Sequence, residues 1–154
     1  MHIRPFTPQN HHEETAVIDL WVRCGLVVPW NNPHQDIARK LAQAPELFLV
    51  GIDESNETKP IIASVMGGYE GHRGWINYLA VAPAWQGQGL GRQMMAAIEA
   101  KLSALGCPKI NLQVRATNTA VLAFYEALGY QNDHVTSLGK RLYSDEPHRY
   151  GDKN

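Results

Sequence analysis

Gln86, Gly87, Gln88, Gly89, Leu90, Gly91 and Arg92 form a short glycine-rich stretch that can hold an anion. Glycine has no Cβ, so backbone N–H groups there can approach a ligand closely and adopt positive φ. Leu79, Ala80 and Val81, just upstream, are apolar in succession, as in a strand covered on both faces. Pro83 ends that strand because it lacks the N–H a ladder needs. A helix beginning near Gly89 aims its unpaired N–H groups and positive dipole end back at the glycines. The natural ligand for such a turn is a phosphate or pyrophosphate. Arg92, a cation in the first helical turn, is badly placed for the dipole and well placed to meet an anion. The dinucleotide pattern Gly-x-Gly-x-x-Gly fails, since its third glycine would fall on Arg92 or Met94. A P-loop fails too, since no Gly-Lys is followed by Ser or Thr.

The flanking sequence supplies the frame for this turn. His2–Phe6 reads as a first strand, with Pro5 marking an edge or an end. Thr7-Pro8 opens a helix with Val17, Leu20, Trp21 and Cys24 on one face, capped near Gly25. A second helix runs from about Pro33 to Gln43, with Ile37 and Leu41 inward. Leu47–Ile52, Pro60–Tyr69 and Trp75–Val81 read as an antiparallel meander that ends on the phosphate turn. Gly67-Gly68 suggests a bulge or bend in the middle strand. The long helix spans about Gly89 to Leu105, with Leu90, Met94, Ala97, Ile98, Leu102 and Leu105 in one stripe. Ile110, Leu112 and Val114 alternate with polar residues as in a half-buried strand. Asn118 caps a last helix closed by Gly129, and Ser137–Tyr143 reads as a final strand. From Asp145 the polar tail reads as loose, and no internal linker divides 1–154.

Bulk properties exclude several classes. The 154 residues suit one domain, and 44% hydrophobic with 19% charged residues is ordinary for a globular chain. Lys plus Arg total 14 against 15 acidic residues, so a net charge of −1 gives no reason to expect nucleic acid or an anionic membrane as partner. Two separated cysteines, no signal peptide and no spanning apolar run point to a cytoplasmic protein. The histidines have no zinc spacing, so no metal is expected.

Two motifs carry a resemblance. Gln86-x-x-Gly89-x-Gly91 is similar to the acyl-CoA pyrophosphate motif of the GCN5-related N-acetyltransferases (GNAT). Asn118 followed by Ala123-Phe-Tyr-Glu-Ala-Leu-Gly-Tyr130 resembles a second segment of the same family, in the right order. Within the family, Met66–Gly74 and Ser137–Leu142 look most like the small bacterial YpeA-type acetyltransferases. The resemblance covers about residues 2 to 143. It implies an α/β fold with a mixed, mostly antiparallel sheet of about six to seven strands, flanked by about four helices.

The resemblance also implies roles. The backbone of Leu79, Ala80 and Val81 would bond the acetyl carbonyl and pantetheine arm of acetyl-CoA. The stretch from Gln86 to Arg92 would hold the pyrophosphate. Asn118 would touch the pantetheine or pyrophosphate region, or serve only as a helix cap. Tyr125 would face the CoA sulfur and give the departing thiolate a proton, or else simply pack its helix. The physics agrees: amine attack on a thioester builds charge on the carbonyl oxygen, which a strand N–H stabilises. A neutral phenol can donate at pH 7. Where relatives place a glutamate base, this chain has Gln113 or Trp75. Glu70, beside His72, is the remaining carboxylate expected near the cleft end of the strands, as base, as an orienting group or as a plain turn residue, with His72 as the alternative base.

The leading expectation is therefore acetyl transfer from acetyl-CoA to an unidentified primary amine by direct attack, in a monomer or homodimer. A CoA-binding sensor or interaction module without turnover is the alternative, motivated by the missing glutamates. A donor such as Tyr125 at the sulfur argues against it, because binding alone does not need one. A nucleotide-binding regulator is weakened by the failed phosphate-loop spacings.

Overall fold

Three of the four α-helices among the described residues start on an asparagine. In a computed structural model that describes residues 1–150, the helices are α1 (His11–Arg23), α2 (Pro33–Gln43), α3 (Leu90–Ala104) and α4 (Thr119–Ala127). The side chains of Asn10, Asn32 and Asn118 accept N–H groups of the first turns of α1, α2 and α4. Each satisfies donors that the helix itself leaves orphaned. Pro33 at the head of α2 costs no hydrogen bond there.

The strands are β1 (His2–Pro5), β2 (Phe48–Ile52), β3 (Ile61–Tyr69), β4 (Gly74–Val81) and β5 (Ile110–Asn111). They form one open mixed sheet in the order β1-β2-β3-β4-β5. The first four pair antiparallel, and β5 joins β4 in parallel. The chain is α/β as expected, but with five strands among the described residues instead of six or seven. Ser137–Tyr143 forms no strand. Its region places Val135, Leu138 and Leu142 three and four residues apart, and all three are exposed. A strand buries one face only when apolar residues recur at every second position.

By packing, the described residues divide into two compact units: Met1–Asn111 together with the tail from Asp145, and Leu112–Ser144. In the first unit, alternation along β3 assigns the two faces of the sheet. Ser64 and Met66 meet α1, Ser64 through Trp21, while a Cβ on Gly67 would stand 2.7 Å from Ile98 of α3. That close approach explains the glycine at Gly67; it is neither a bulge nor a bend. The bulge lies in β4 instead. Ser64 pairs with Ala80 and Met66 with Asn77, so Val65 faces two residues, Tyr78 and Leu79.

The core joins Val17, Ile18, Leu20 and Trp21 of α1 and Ile37 of α2 to Phe48, Val50, Ile62 and Met66 of the sheet. On α3, Leu90, Met94, Met95, Ile98 and Leu102 are buried, but Leu105, expected in the stripe, is exposed beyond the helix end. The tail is not loose as far as Tyr150. Asp145 pairs with Arg39 and accepts the Asn32 N–H at 2.9 Å. Glu146 bonds Asn32 and Gln35, and His148 bonds the Val28 carbonyl. Polar composition suggested a free tail, but its polar groups answer those at the head of α2. Among the described residues, no helix is long and apolar enough to cross a membrane.

Candidate active site

The glycine turn begins where β4 stops. After Val81 a short 3-10 turn, Pro83–Trp85, swings the chain out of the sheet. Gly87 and Gly89 then take φ of +77° and +79°. A Cβ at either position would meet nothing within 4 Å. Glycine is required there for the left-handed backbone and not for room. Gly89 is the N-cap of α3 and brings no side-chain cap, so the first N–H groups of the helix remain available to a ligand. Gln86, Gly87, Gln88, Gly89 and Arg92 are exposed, while Leu90 is buried and anchors the helix start. The Gln86 side chain donates back to the Val81 carbonyl at 3.0 Å, tying the turn to the end of the strand.

Upstream, the bulge governs β4. One extra residue reverses the alternation of the strand. Before it, Gly74 faces Leu102 and Cys107. After it, Tyr78 and Ala80 stand on the α1 side, where Tyr78 stacks on Trp21 at 3.8 Å. Tyr78 sits at φ +52°, uncommon for a bulky residue. Its carbonyl accepts the Ser64 hydroxyl at 2.9 Å, and Ser64 accepts the Trp21 indole N–H at 2.9 Å. Its phenol donates to Asp36 at 2.6 Å. Burial first, then the Asp36 hydrogen bond, pushes the Tyr78 phenol far above its usual range, so it stays protonated and acts as a donor. Leu79, Ala80 and Val81 follow this fixed kink directly.

The structure separates Glu70 from that region. Glu70 is exposed in the β3–β4 turn, at the opposite end of β4 from the anion turn. Five residues of strand from Gly74 to Leu79 amount to about 16 Å. Its carboxylate accepts the Arg73 N–H and the His72 N–H, closing the turn. The Arg73 bond is the main reason its pKa lies below the ordinary carboxylate value. A carboxylate so held is a poor base. The expectation that it lies at the cleft end of the strands is corrected: it lies at the hairpin tip.

The second unit carries Asn118 and Tyr125. Asn118 is the N-cap of α4, accepting the Val121 N–H at 3.2 Å. Tyr125 is buried, with Phe124 and Tyr130 edge-on to its ring at 5.0 and 5.6 Å. Burial alone pushes its phenol up to about 12. The Leu128 and Tyr130 N–H groups both return to the Tyr125 carbonyl, and Gly129 takes φ +95°. This turn closes α4 and brings the Tyr130 ring back onto Tyr125. Gln113 donates to the Ser137 hydroxyl.

Sequence reasoning missed Ser64, Asp36 and the side chain of Tyr78. Positive φ at a tyrosine leaves no trace in composition or periodicity, and Ser64 lies in a run that reads simply as a strand.

Comparison with known proteins follows the same residues. The profile of the acetyltransferase (GNAT) family matches residues 9–130. An acetyltransferase of Sodalis glossinidius is 47% identical over 147 residues, covering 95% of this chain and 99% of its own. An acetyltransferase of Yersinia pestis is 48% identical over 146 residues, covering 95% and 99%. Among solved structures, a chain of the NatC complex bound to Gag peptide and CoA superposes with a TM-score of 0.73 at 23% identity, covering 82% of each chain. That last likeness concerns the fold alone.

Proposed function

Because this chain belongs to the acetyltransferase (GNAT) family, an acyl-transfer family, we propose that it moves the acetyl group of acetyl-CoA to a primary amine by direct attack in a ternary complex. The observation that carries this reading is the continuous run from the β4 bulge to the head of α3. A kinked strand leads straight into a glycine turn with two left-handed residues at a helix N-terminus. Backbone N–H groups from Gln86 to Gly91, with Arg92, hold the pyrophosphate. The backbone of Leu79, Ala80 and Val81 holds the pantetheine arm and polarises the thioester carbonyl, whose oxygen gains charge as the amine attacks. Tyr125, kept neutral by burial, donates to the departing thiolate. Asn118 contributes to the CoA side in addition to capping α4. The attacking amine gives its proton to water, and Glu70, at the hairpin tip, serves to orient a cationic acceptor. The family profile spans residues of both compact units, which supports the whole chain acting as one acetyltransferase domain.

The test is calorimetric titration with acetyl-CoA, followed by thiol release across a panel of N-terminal peptides, lysine peptides and small amines. Saturable binding with amine-dependent thiol release is expected. Binding without release against any amine would favour the CoA-sensing alternative, and no binding would refute both.

A further inference from the structure

We propose that Tyr78 is a positioning residue, its hydroxyl held by Asp36, and through it by Arg39 and Asp145, so that the C-terminal segment fixes the β4 bulge that polarises the acyl carbonyl. This rests on the reading that an acyl thioester lies along Leu79–Val81.

A bulge with a tyrosine at φ +52° stores strain that its surroundings must offset. Tyr78 is gripped at three points. Ser64 takes its carbonyl, Trp21 stacks on its ring with planes 13° apart, and Asp36 takes its hydroxyl at 2.6 Å. The first two grips come from the core. The third comes from a charged chain that otherwise has no evident role. Arg39 bonds the second oxygen of Asp36 at 2.9 Å and pairs with Asp145. The Asp145 side chain is 5% exposed and also accepts the N–H of Asn32, the residue that caps α2. Glu146 clamps the same cap through Asn32 Nδ2 at 3.0 Å and Gln35 Oε1 at 2.9 Å.

The geometry has a direction. Asp36 lies in the first turn of α2, where a carboxylate is favoured, and Arg39 follows one turn on. Asp145 pairs with Arg39 and, through the Asn32 N–H, pins α2 at its start. With α2 pinned, the Asp36 oxygen is stationary, and the phenol it holds keeps the Tyr78 side chain on the α1 face. The backbone then cannot relax to a regular ladder, because that would return Tyr78 to the opposite face. The N–H groups just beyond the kink are therefore pre-aimed, the condition under which a hydrogen bond to a developing oxyanion lowers a barrier.

The readout is the carbonyl stretch of bound acetyl-CoA, taken by isotope-edited difference infrared spectroscopy with the acetyl carbonyl carbon labelled. In the parent protein the thioester carbonyl should absorb at lower wavenumber than in free acetyl-CoA. Tyr78→Phe keeps the ring stacked on Trp21 and removes only the hydroxyl. It should lose roughly half of that displacement, with acetyl-CoA affinity changed less than about threefold because the anion turn is untouched. Asp145→Ala should reproduce the loss in part. A purely structural role would lower the melting temperature and leave the stretch of the bound thioester unchanged. A parent-like stretch in Tyr78→Phe overturns the proposal, and one in Asp145→Ala overturns its extension to the C-terminal segment. Failure of the parent to bind acetyl-CoA refutes instead the reading on which the proposal rests.

Discussion

The Ser64 hydroxyl donates to the backbone carbonyl of Tyr78 at 2.9 Å, fourteen residues away in the chain and on the neighbouring strand. Ser64 is fully buried and at the same time accepts the Trp21 indole N–H. A bulge frees a carbonyl from the ladder, and an unpaired buried carbonyl is costly. Here one small polar side chain on β3 satisfies the freed group and a core indole together.

Ser64→Ala should therefore cost more than the loss of one oxygen suggests. It leaves the Tyr78 carbonyl and the Trp21 N–H without these partners, at about 1–3 kcal/mol for each buried group. A loss of roughly 2–4 kcal/mol is expected in urea unfolding followed by tryptophan fluorescence. A loss below about 0.5 kcal/mol, the usual range of a neutral surface change, would contradict the role given to the hydroxyl.

Gly89→Ala tests the anion turn. The added methyl meets nothing within 4 Å, so its effect comes from forcing an L-residue to φ +79°. That conformation costs about 1–2 kcal/mol. The turn should shift and CoA affinity fall roughly tenfold, about 1.4 kcal/mol. Calorimetry on the folded variant checks this, and unchanged affinity would remove Gly89 from the pyrophosphate site.

Glu70→Gln should leave CoA affinity unaltered and change turnover evenly across neutral pH. A base role predicts a loss that grows as pH falls. The pKa of Glu70 is depressed by its bonds from Arg73 and His72, so the group stays charged throughout the neutral range. Any protonation-linked change is confined to pH below the ordinary carboxylate value of about 4.3. A pH–rate profile that diverges from the parent between about pH 6 and 8 would reinstate Glu70 as a base.

Tyr125→Phe separates packing from chemistry. The ring keeps its edge contacts with Phe124 and Tyr130, and only the donor is lost. Turnover should fall by about 10²-fold, with little change in the Michaelis constant for acetyl-CoA. A loss below about threefold would leave Tyr125 a packing residue. Tyrosinate absorbance offers a second check: of six tyrosines, Tyr125 should ionise late, near 12, and that step should vanish in the variant. The sign for stability follows. A folded-state pKa above the unfolded value of about 10 favours the folded protein below that pH, and the advantage is lost as pH rises toward 12.

The legible parts of this protein were those written in neighbouring residues. The glycine turn, the asparagine caps, Pro33 at the head of α2 and Gly129 at the end of α4 each depend on a few adjacent positions. Local backbone chemistry decides such features before any core forms, so the sequence by itself determined the glycine turn, its helix and the family motif. The bulge at Tyr78 was illegible, because a run of residues that can form a strand does not say where one partner residue will face two. Glu70 was misplaced although chain order bears on it: the β3–β4 turn precedes β4 and the glycine turn follows it, so the two stand at opposite ends of that strand. The tail read as loose because the partners that tie Asp145 and Glu146 down, Asn32, Gln35 and Arg39, are over a hundred residues away. Tertiary structure alone decided the bulge and the tail, since hydrogen bonds and charge pairs between distant segments exist only after the sheet and α2 have brought them within about 3 Å.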